Sequence, residues 1–367
     1  MDDVTNLPQP QPGIMDISPY QGGESGLAGV ARVMKMSSNE GPLGPSPRAQ
    51  AAFAAEAARL HRYPDGGCTA LREAIGARWG LDPARIVCGA GSDELIGLLV
   101  KAYCGPGDEV LYPAHGFLMY SIYARGVGAV PVAAPETDLR CDVDALLAAV
   151  TPRTRVVFVA NPNNPTGTYL TAEEMARLRD GLPGKVILAI DGAYGEYVDR
   201  NDYTDGRPLV DATPNTVMLR TFSKIFGLGG CRVGWGYFPP AIADVLNRLR
   251  SPFNVAAPSQ AAARAAVEDG AFLALCKAHN DHWLPWMIDQ ARGLGLAATD
   301  SVGNFALIGF PAEGPRTARA ADTVLRAKGI IVRRVEGYGL PDWLRVSVGL
   351  DEENRAVIAA LAEFMGN

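Results

Sequence analysis

RVVFVANPNNPTGTYLTAEEMARLRDGLPGKVILAID, residues 155–191, holds one full unit of the pattern that organises this chain. The apolar run RVVFVA stops at the proline-rich loop NPNNPTG (161–167), an amphipathic helix begins at Thr171, and a second apolar run, KVILAI, stops at Asp191. Two short, continuously apolar runs joined by a helix describe a βαβ unit with parallel strands covered on both faces. Upstream the alternation recurs as IVCGAG then SDELIGLLVKAY, DEVLYP then FLMYSIYARG, and AVPVAAP then DVDALLAAV; downstream, Thr216 to Thr221 reads as a further strand. The fold class is α/β, a mainly parallel sheet with helices on both faces.

With 367 residues the chain exceeds one ordinary core. After Pro239 helices dominate, including a long one from about Gly270 to Leu296, and the remainder alternates strand-like NFALIGF, GIIVRR and LRVSVG with helices. That tail suggests a smaller α+β domain. The expected division is an N-terminal arm and part of the small domain over 1–50, a large domain over 51–270, and a small C-terminal domain over 271–367. A plain helix is expected over Ala49 to Ala58.

Hydrophobic residues make up 48% and charged residues 20%, with a net charge of −6, so nothing favours nucleic acid or an anionic membrane as partner. Residues 1–13 lack the basic start and apolar run of a signal peptide, and a cytoplasmic protein is expected. Six scattered cysteines without a CxxC pair and four histidines without HExxH spacing point to neither a disulfide framework nor a metal site.

Ligands of such sheets bind at the carboxyl ends of the strands. GAGSD (89–93), NPNNPTG, DGAY (191–194) and TFSK (221–224) each begin where an apolar run stops, so four polar clusters can converge on one cleft. Within TFSKIFGLGGCRVGW (221–235), Lys224 lies beside Ser223 and eight residues before Arg232. A desolvated lysine near another cation is partly neutral at pH 7 and can attack a carbonyl, while serine and arginine are phosphate-binding types. A carbonyl and a phosphate on one ligand suggest pyridoxal 5′-phosphate (PLP). The alternative is a solvated loop lysine. Ala90, Gly91 and Ser92 could offer backbone amides to an anion at a helix N-terminus. Asn164, directed by two prolines, could donate to a ring hydroxyl, with Tyr194 as a second donor. Asp191 must be paired or neutral at a strand end; a protonated pyridine is one partner, a helix cap or a buried ion pair the alternatives.

Asn164, Asp191, Tyr194, Ser223, Lys224 and Arg232, in this order and spacing, resemble fold-type I PLP-dependent aminotransferases. SSNEGPLGPSP (37–47), RYPDGG (62–67), GAGSDELI, NPNNPTG and GLPDWLRVSVG (339–349) are similar to the histidinol-phosphate aminotransferase family. The resemblance implies that Lys224 binds the cofactor covalently and moves the substrate proton. It implies that Asp191 keeps the pyridine nitrogen protonated, that Asn164 and Tyr194 tune the ring oxygen, and that Ser223, Arg232 and the Ala90–Ser92 amides hold the phosphate. Tyr63 is expected to reach that phosphate from the partner of a homodimer. Phe117 is the first choice to stack on the ring and His115 the second. Arg345 matches the arginine that clamps the substrate carboxylate, assisted by Asn39. The chain departs from the family pattern at Gly192, where an acidic residue is usual, and at Ala90, where asparagine is common.

For the substrate, Arg333 matches the arginine that meets a phosphate and Tyr20 a tyrosine of the same subsite. Arg334 is the competing inward arginine, and Tyr20 has a packing role as its alternative. The resemblance implies transamination of L-histidinol phosphate with 2-oxoglutarate. The alternatives are an aromatic or broad-specificity aminotransferase, a PLP lyase of the threonine-phosphate decarboxylase type, and a non-catalytic PLP-binding regulator.

Overall fold

The structure, a computed structural model, describes residues 8–20, 22–27, 29 and 32–366. Its larger sheet has seven strands in the order Ile86–Gly89, Gly234–Tyr237, Thr216–Thr221, Ile187–Asp191, Thr154–Ala160, Glu109–Pro113 and Val130–Ala134. Gly234–Tyr237 runs antiparallel to both neighbours, and the other pairings are parallel.

The period-2 geometry of a strand decides which helix each residue meets. Along Thr154–Ala160, Val156 and Phe158 join Leu95 and Leu99 of the helix Ser92–Tyr103, whereas Val157 and Val159 join Met175 and Leu178 of the helix Ala172–Gly181. Both faces are therefore dry, as the uninterrupted apolar runs require. The helix Ala172–Gly181 starts where expected, because Thr171 and Glu174 form a reciprocal capping box. Register then sets the strand ends abreast: Asp191 lies opposite Ala160 on one side and Leu219 on the other.

The smaller sheet, Ala297–Ala298, Phe305–Gly309, Leu340–Ser347 and Arg333–Val335, is antiparallel. Helices Ala318–Ala327 and Asp351–Met365 pack over it through Leu325, Val357 and Leu361. The arm joins this unit, since Met34–Lys35 pairs in parallel with Ile330–Ile331. The helix Gly270–Gly293 serves both cores: Cys276 packs into the large one, and Trp283, Met287 and Ala291 pack into the small one. It ends three residues before the expected Leu296, because Gly295 turns to φ 78°. The Ala-rich helix runs from Pro47 to Ala55 under a Ser46 cap and continues as a 3-10 turn to Arg59.

Candidate active site

The four strand-end clusters meet as expected. They enclose a cavity of about 180 Å³ whose walls include Ser92, Phe117, Asn164, Asp191, Lys224 and Arg232. A groove of about 1000 Å³ lies elsewhere, beside the short hairpin 136–141, but the buried carboxyl raised by desolvation and the lysine lowered by it meet in the smaller cavity.

Lys224 follows the fully buried Phe222 off the strand Thr216–Thr221. Its Nζ donates to the Ser38 carbonyl at 3.1 Å and lies 5.5 Å from the centre of the Tyr194 ring. Burial first, then the nearby Arg345 guanidinium, brings its ammonium down to about 7. Neutral amine is therefore abundant at neutral pH, and the solvated-loop alternative falls.

Asp191 accepts hydrogen bonds from the Tyr120 hydroxyl at 2.9 Å and from the Ala193 N–H at 3.2 Å. Burial raises its carboxyl to about 6 in spite of both bonds. It caps no helix, and among the described residues it forms no ion pair, so neither alternative for it holds. A buried carboxylate lacking a cation is the partner a protonated ring nitrogen needs.

Arg345 sits on Leu340–Ser347, donating through Nη1 to the Asn164 carbonyl oxygen and through Nη2 to the Ser37 carbonyl at 2.7 Å. That contact spends the side-chain oxygen of Asn164, and its NH2 makes no hydrogen bond among the described residues. The Nε of Arg345 is buried without a hydrogen-bond partner, a donor held ready for an anion. Tyr194 receives the Asn39 amide at 2.8 Å, and Asn39 is locked in turn by reciprocal bonds with Ser347.

Arg333 pairs directly with Arg345 across the antiparallel ladder, so the two share one face of the sheet. Arg334 lies opposite the core residue Leu344 and forms an ion pair with Glu336. The inward arginine is Arg333. It borders a groove of about 600 Å³ together with the half-exposed Tyr20 of the arm. Arg345, Tyr20 and Arg333 all act electrostatically on Tyr338, whose phenol burial pushes up to about 12.

The phosphate end requires a correction. Ala90 and Gly91 cannot both offer free amides: Ala90 N–H donates to Glu94 Oε2 at 2.6 Å, and Gly91 N–H donates to the Gly89 carbonyl at 2.8 Å. The turn consumes these donors to build itself. The open anion seat is the first turn of Ser92–Tyr103, at Ser92 and Asp93, facing Ser223 and Arg232. Arg232 reaches Ser223 Oγ at 3.3 Å and the Gly229 carbonyl at 3.0 Å. Gly91 has φ 87°, and a Cβ there would meet Arg232 Nη2 at 2.7 Å, so only glycine fits.

Phe117 lines the cavity, whereas His115 is held outside it by the Tyr338 carbonyl at 2.7 Å from Nδ1. Tyr63 is 83% exposed and stacks on Phe253 at 4.7 Å, away from its own chain's cavity. Four contributors escaped sequence reasoning: Tyr120, Tyr338, and the pair Glu94 and Asn254 that fixes the phosphate loop. Of these, Tyr120 carried a signal, since a buried tyrosine in an apolar helix needs a partner for its hydroxyl.

Residues 31–361 match the family model of class I and II aminotransferases. The chain is 61% identical to the histidinol-phosphate aminotransferase of Paramagnetospirillum magneticum over 98% of its length and 99% of the relative's. It is equally identical, 61%, to that of Rhodospirillum rubrum, covering 98% of this chain and 97% of the relative. The crystal structure of the Sinorhizobium meliloti histidinol-phosphate aminotransferase with bound pyridoxal 5′-phosphate superimposes with a TM-score of 0.85 at 30% identity, over 91% of each chain. The chain belongs to the histidinol-phosphate aminotransferase family.

As in that family, the cofactor is PLP. The residues present fit it. The cation-free Asp191 suits the ring nitrogen, the unspent Asn164 NH2 suits the ring oxygen, the neutral Lys224 amine suits the aldehyde, and Ser92, Ser223 and Arg232 suit the phosphate. Fold-type I architecture extends to a Thermus thermophilus aspartate aminotransferase, with a TM-score of 0.79 at 22% identity over 90% of this chain and 91% of that one.

Proposed function

We infer that this chain interconverts L-histidinol phosphate and imidazole-acetol phosphate, using glutamate and 2-oxoglutarate as the second pair, within histidine biosynthesis. The observation that carries the substrate assignment is the register pair Arg333 and Arg345. Histidinol phosphate has no carboxylate; a phosphorylated hydroxymethyl group occupies the corresponding place beside its amine-bearing carbon. Two guanidinium groups on one face of a sheet suit a phosphate dianion, and the Tyr20 hydroxyl adds a neutral donor. Glutamate presents a carboxylate to Arg345 instead.

When bound, PLP supplies an aldehyde for the substrate amine and a protonated ring that draws electron density from the α-carbon. Asp191 keeps that ring protonated, being ionised and otherwise cation-free. With the cofactor in place, Lys224 would be the proton carrier, its neutral amine accepting the substrate α-proton and its ammonium giving it back. Its acidity near 7 lets it hold either state at neutral pH. Asn164 and Tyr194 orient the ring oxygen, and Asn164 bridges to Arg345, so cofactor and substrate anion share one support. Phe117, in the cavity wall, would stack on the ring.

The enzyme is proposed to be a homodimer in which Tyr63, exposed on its own chain, serves the partner's site. Among the described residues no helix is long and apolar enough to cross a membrane, and we place the enzyme in the cytoplasm. The test of the substrate is kcat/KM for histidinol phosphate against phenylalanine in wild type and Arg333→Ala. Losing a charged hydrogen bond of about 1.5–3 kcal/mol should cut the phosphorylated substrate roughly 10- to 150-fold and spare phenylalanine. Equal or absent losses would favour an aromatic aminotransferase. Product formation without any 2-oxo acid would favour a lyase.

A further inference from the structure

Phe117 comes off the strand Glu109–Pro113 through a tight turn in which Gly116 N–H donates to the Pro113 carbonyl at 2.7 Å. A Cβ at Gly116 would meet that same carbonyl at 2.9 Å, so the turn closes this tightly only around glycine. It sends Phe117 into the cavity wall and leaves His115 outside it. His115 is nevertheless tied on three sides. Its N–H donates to Glu136 Oε1 at 3.0 Å, its carbonyl accepts from Asn163 Nδ2 at 3.4 Å, and its Nδ1 lies 2.7 Å from the Tyr338 carbonyl.

The first two ties stay within the unit built on the larger sheet, and the third crosses to the smaller sheet. A carbonyl only accepts, so Nδ1 carries a proton and donates. Beside it, Leu118 packs against the cluster of Leu307, Val335, Tyr338 and Leu340. Gly339, at φ 77°, brings its backbone against the imidazole, where a Cβ would lie 3.7 Å from Cε1. Phe117 thus sits in sequence between two residues that grip one 3-10 turn, Glu336–Tyr338. That turn directly follows the strand Arg333–Val335, and the buried Tyr338 phenol within it feels the charges of Arg345 and Arg333.

We propose that His115 is a positioning residue for the phosphorylated substrate: its Nδ1–H clasps the Tyr338 carbonyl and so fixes the strand of Arg333 relative to Phe117 and the cavity. The clasp rests on the substrate reading given above. It touches neither cofactor nor substrate and acts through Tyr338 and the strand Arg333–Val335. Glutamate makes little use of it, because Arg345 is held separately by Asn164 and the Ser37 carbonyl. Removing the clasp leaves a carbonyl unpaired and frees the Glu336–Tyr338 turn. The arginine that meets the phosphate then drifts, while the one that meets a carboxylate stays. Phe117 loses one of two restraints, which is the smaller effect.

The experiment compares wild type with His115→Leu, His115→Asn and His115→Gln. The amide nitrogen of asparagine takes the place of Nδ1, whereas that of glutamine reaches one bond further, to the place of Nε2. For each protein kcat and KM are measured for histidinol phosphate and for glutamate, and the dissociation constant of the apo-protein for PLP is measured by absorbance. His115→Leu should raise KM for histidinol phosphate about tenfold, move KM for glutamate less than about twofold, and weaken PLP binding by no more than about fivefold. A merely structural role would change both substrates alike. His115→Asn should restore KM for histidinol phosphate to within about threefold of wild type, and His115→Gln should behave as His115→Leu does. Where His115→Leu does not fold, the contrast between His115→Asn and His115→Gln decides alone. Equal rises for both substrates, no rise in His115→Leu, or rescue by His115→Gln as complete as by His115→Asn overturns the proposal. Failure of wild type itself to turn over histidinol phosphate would sink the substrate reading and the clasp with it, whereas the variants can sink the clasp alone.

Discussion

Asp191→Asn should stabilise the cofactor-free protein at pH 8 while weakening its grip on PLP. Burial lifts the Asp191 carboxyl from 3.8 to about 6. An acid whose folded pKa is raised binds more protons in the folded state than in the unfolded state between those two values, so stability falls as pH rises through that window. Above about pH 6 the full cost is present. The displacement corresponds to about 3 kcal/mol at roughly 1.4 kcal/mol per pH unit. The amide carries no charge to desolvate and can still accept from Tyr120, although its NH2 would face the Ala193 N–H that now donates to Asp191. The net gain should therefore be smaller, about 1–2 kcal/mol, since an unsatisfied amide costs part of it. Apo-protein of both forms would be unfolded by urea at pH 8 and pH 4, followed by circular dichroism, and titrated with PLP at pH 8. The expected result is a variant more stable than wild type at pH 8, no more stable at pH 4, and binding PLP at least tenfold more weakly through loss of a charged hydrogen bond. A variant destabilised equally at both pH values would refute the picture of a carboxylate held at a cost for the cofactor.

Lys224, with its ammonium near 7, should capture PLP at a rate that rises with pH to a plateau above about pH 8, and Lys224→Ala should give no borohydride-stable adduct and no transamination; an inflection near 10 would mean an ordinary lysine. Asn254→Ala removes donors to Glu94 Oε2 at 2.8 Å and to the Cys88 carbonyl at 3.2 Å, so PLP affinity should drop about 5- to 100-fold with KM for glutamate unchanged at saturating cofactor. Mixing Tyr63→Ala and Lys224→Ala subunits should restore about a quarter of wild-type activity at limiting PLP, because a mixed two-fold dimer contains one complete site; no recovery on mixing would contradict a shared site.

Much of the fold was legible because parallel strands buried on both faces leave uninterrupted apolar runs, and helix starts such as Thr171 carry their own capping signal. Asp191, Asn164 and Lys224 were legible because each stands where an apolar run stops. The amide assignment at Ala90 and Gly91 failed for a physical reason. A glycine-rich turn advertises free N–H groups, yet the sequence does not reveal that the side chain of Glu94, four residues on, folds back to occupy one of them. Tyr338 was illegible because its place depends on the register of Arg333–Val335 against Leu340–Ser347, which shifts after Arg334. That same register decides between Arg333 and Arg334, which alternation alone could not.

Setting Arg333 opposite Arg345 is unfavourable by itself, since like charges directly across a ladder repel. Arg345 also helps depress the Lys224 ammonium, and its own Nε is left without a partner. Neither the depressed lysine nor the open donor stabilises the empty protein. Both are relieved by an anion seated at Arg345, which offsets its charge and satisfies the open donor. It also reduces the field that keeps Lys224 neutral, so the lysine becomes a stronger base while the substrate is in place. A dianionic phosphate does this more fully than a carboxylate. The selectivity for the phosphorylated substrate is then set by this pair of residues, and Arg333→Ala should lower it.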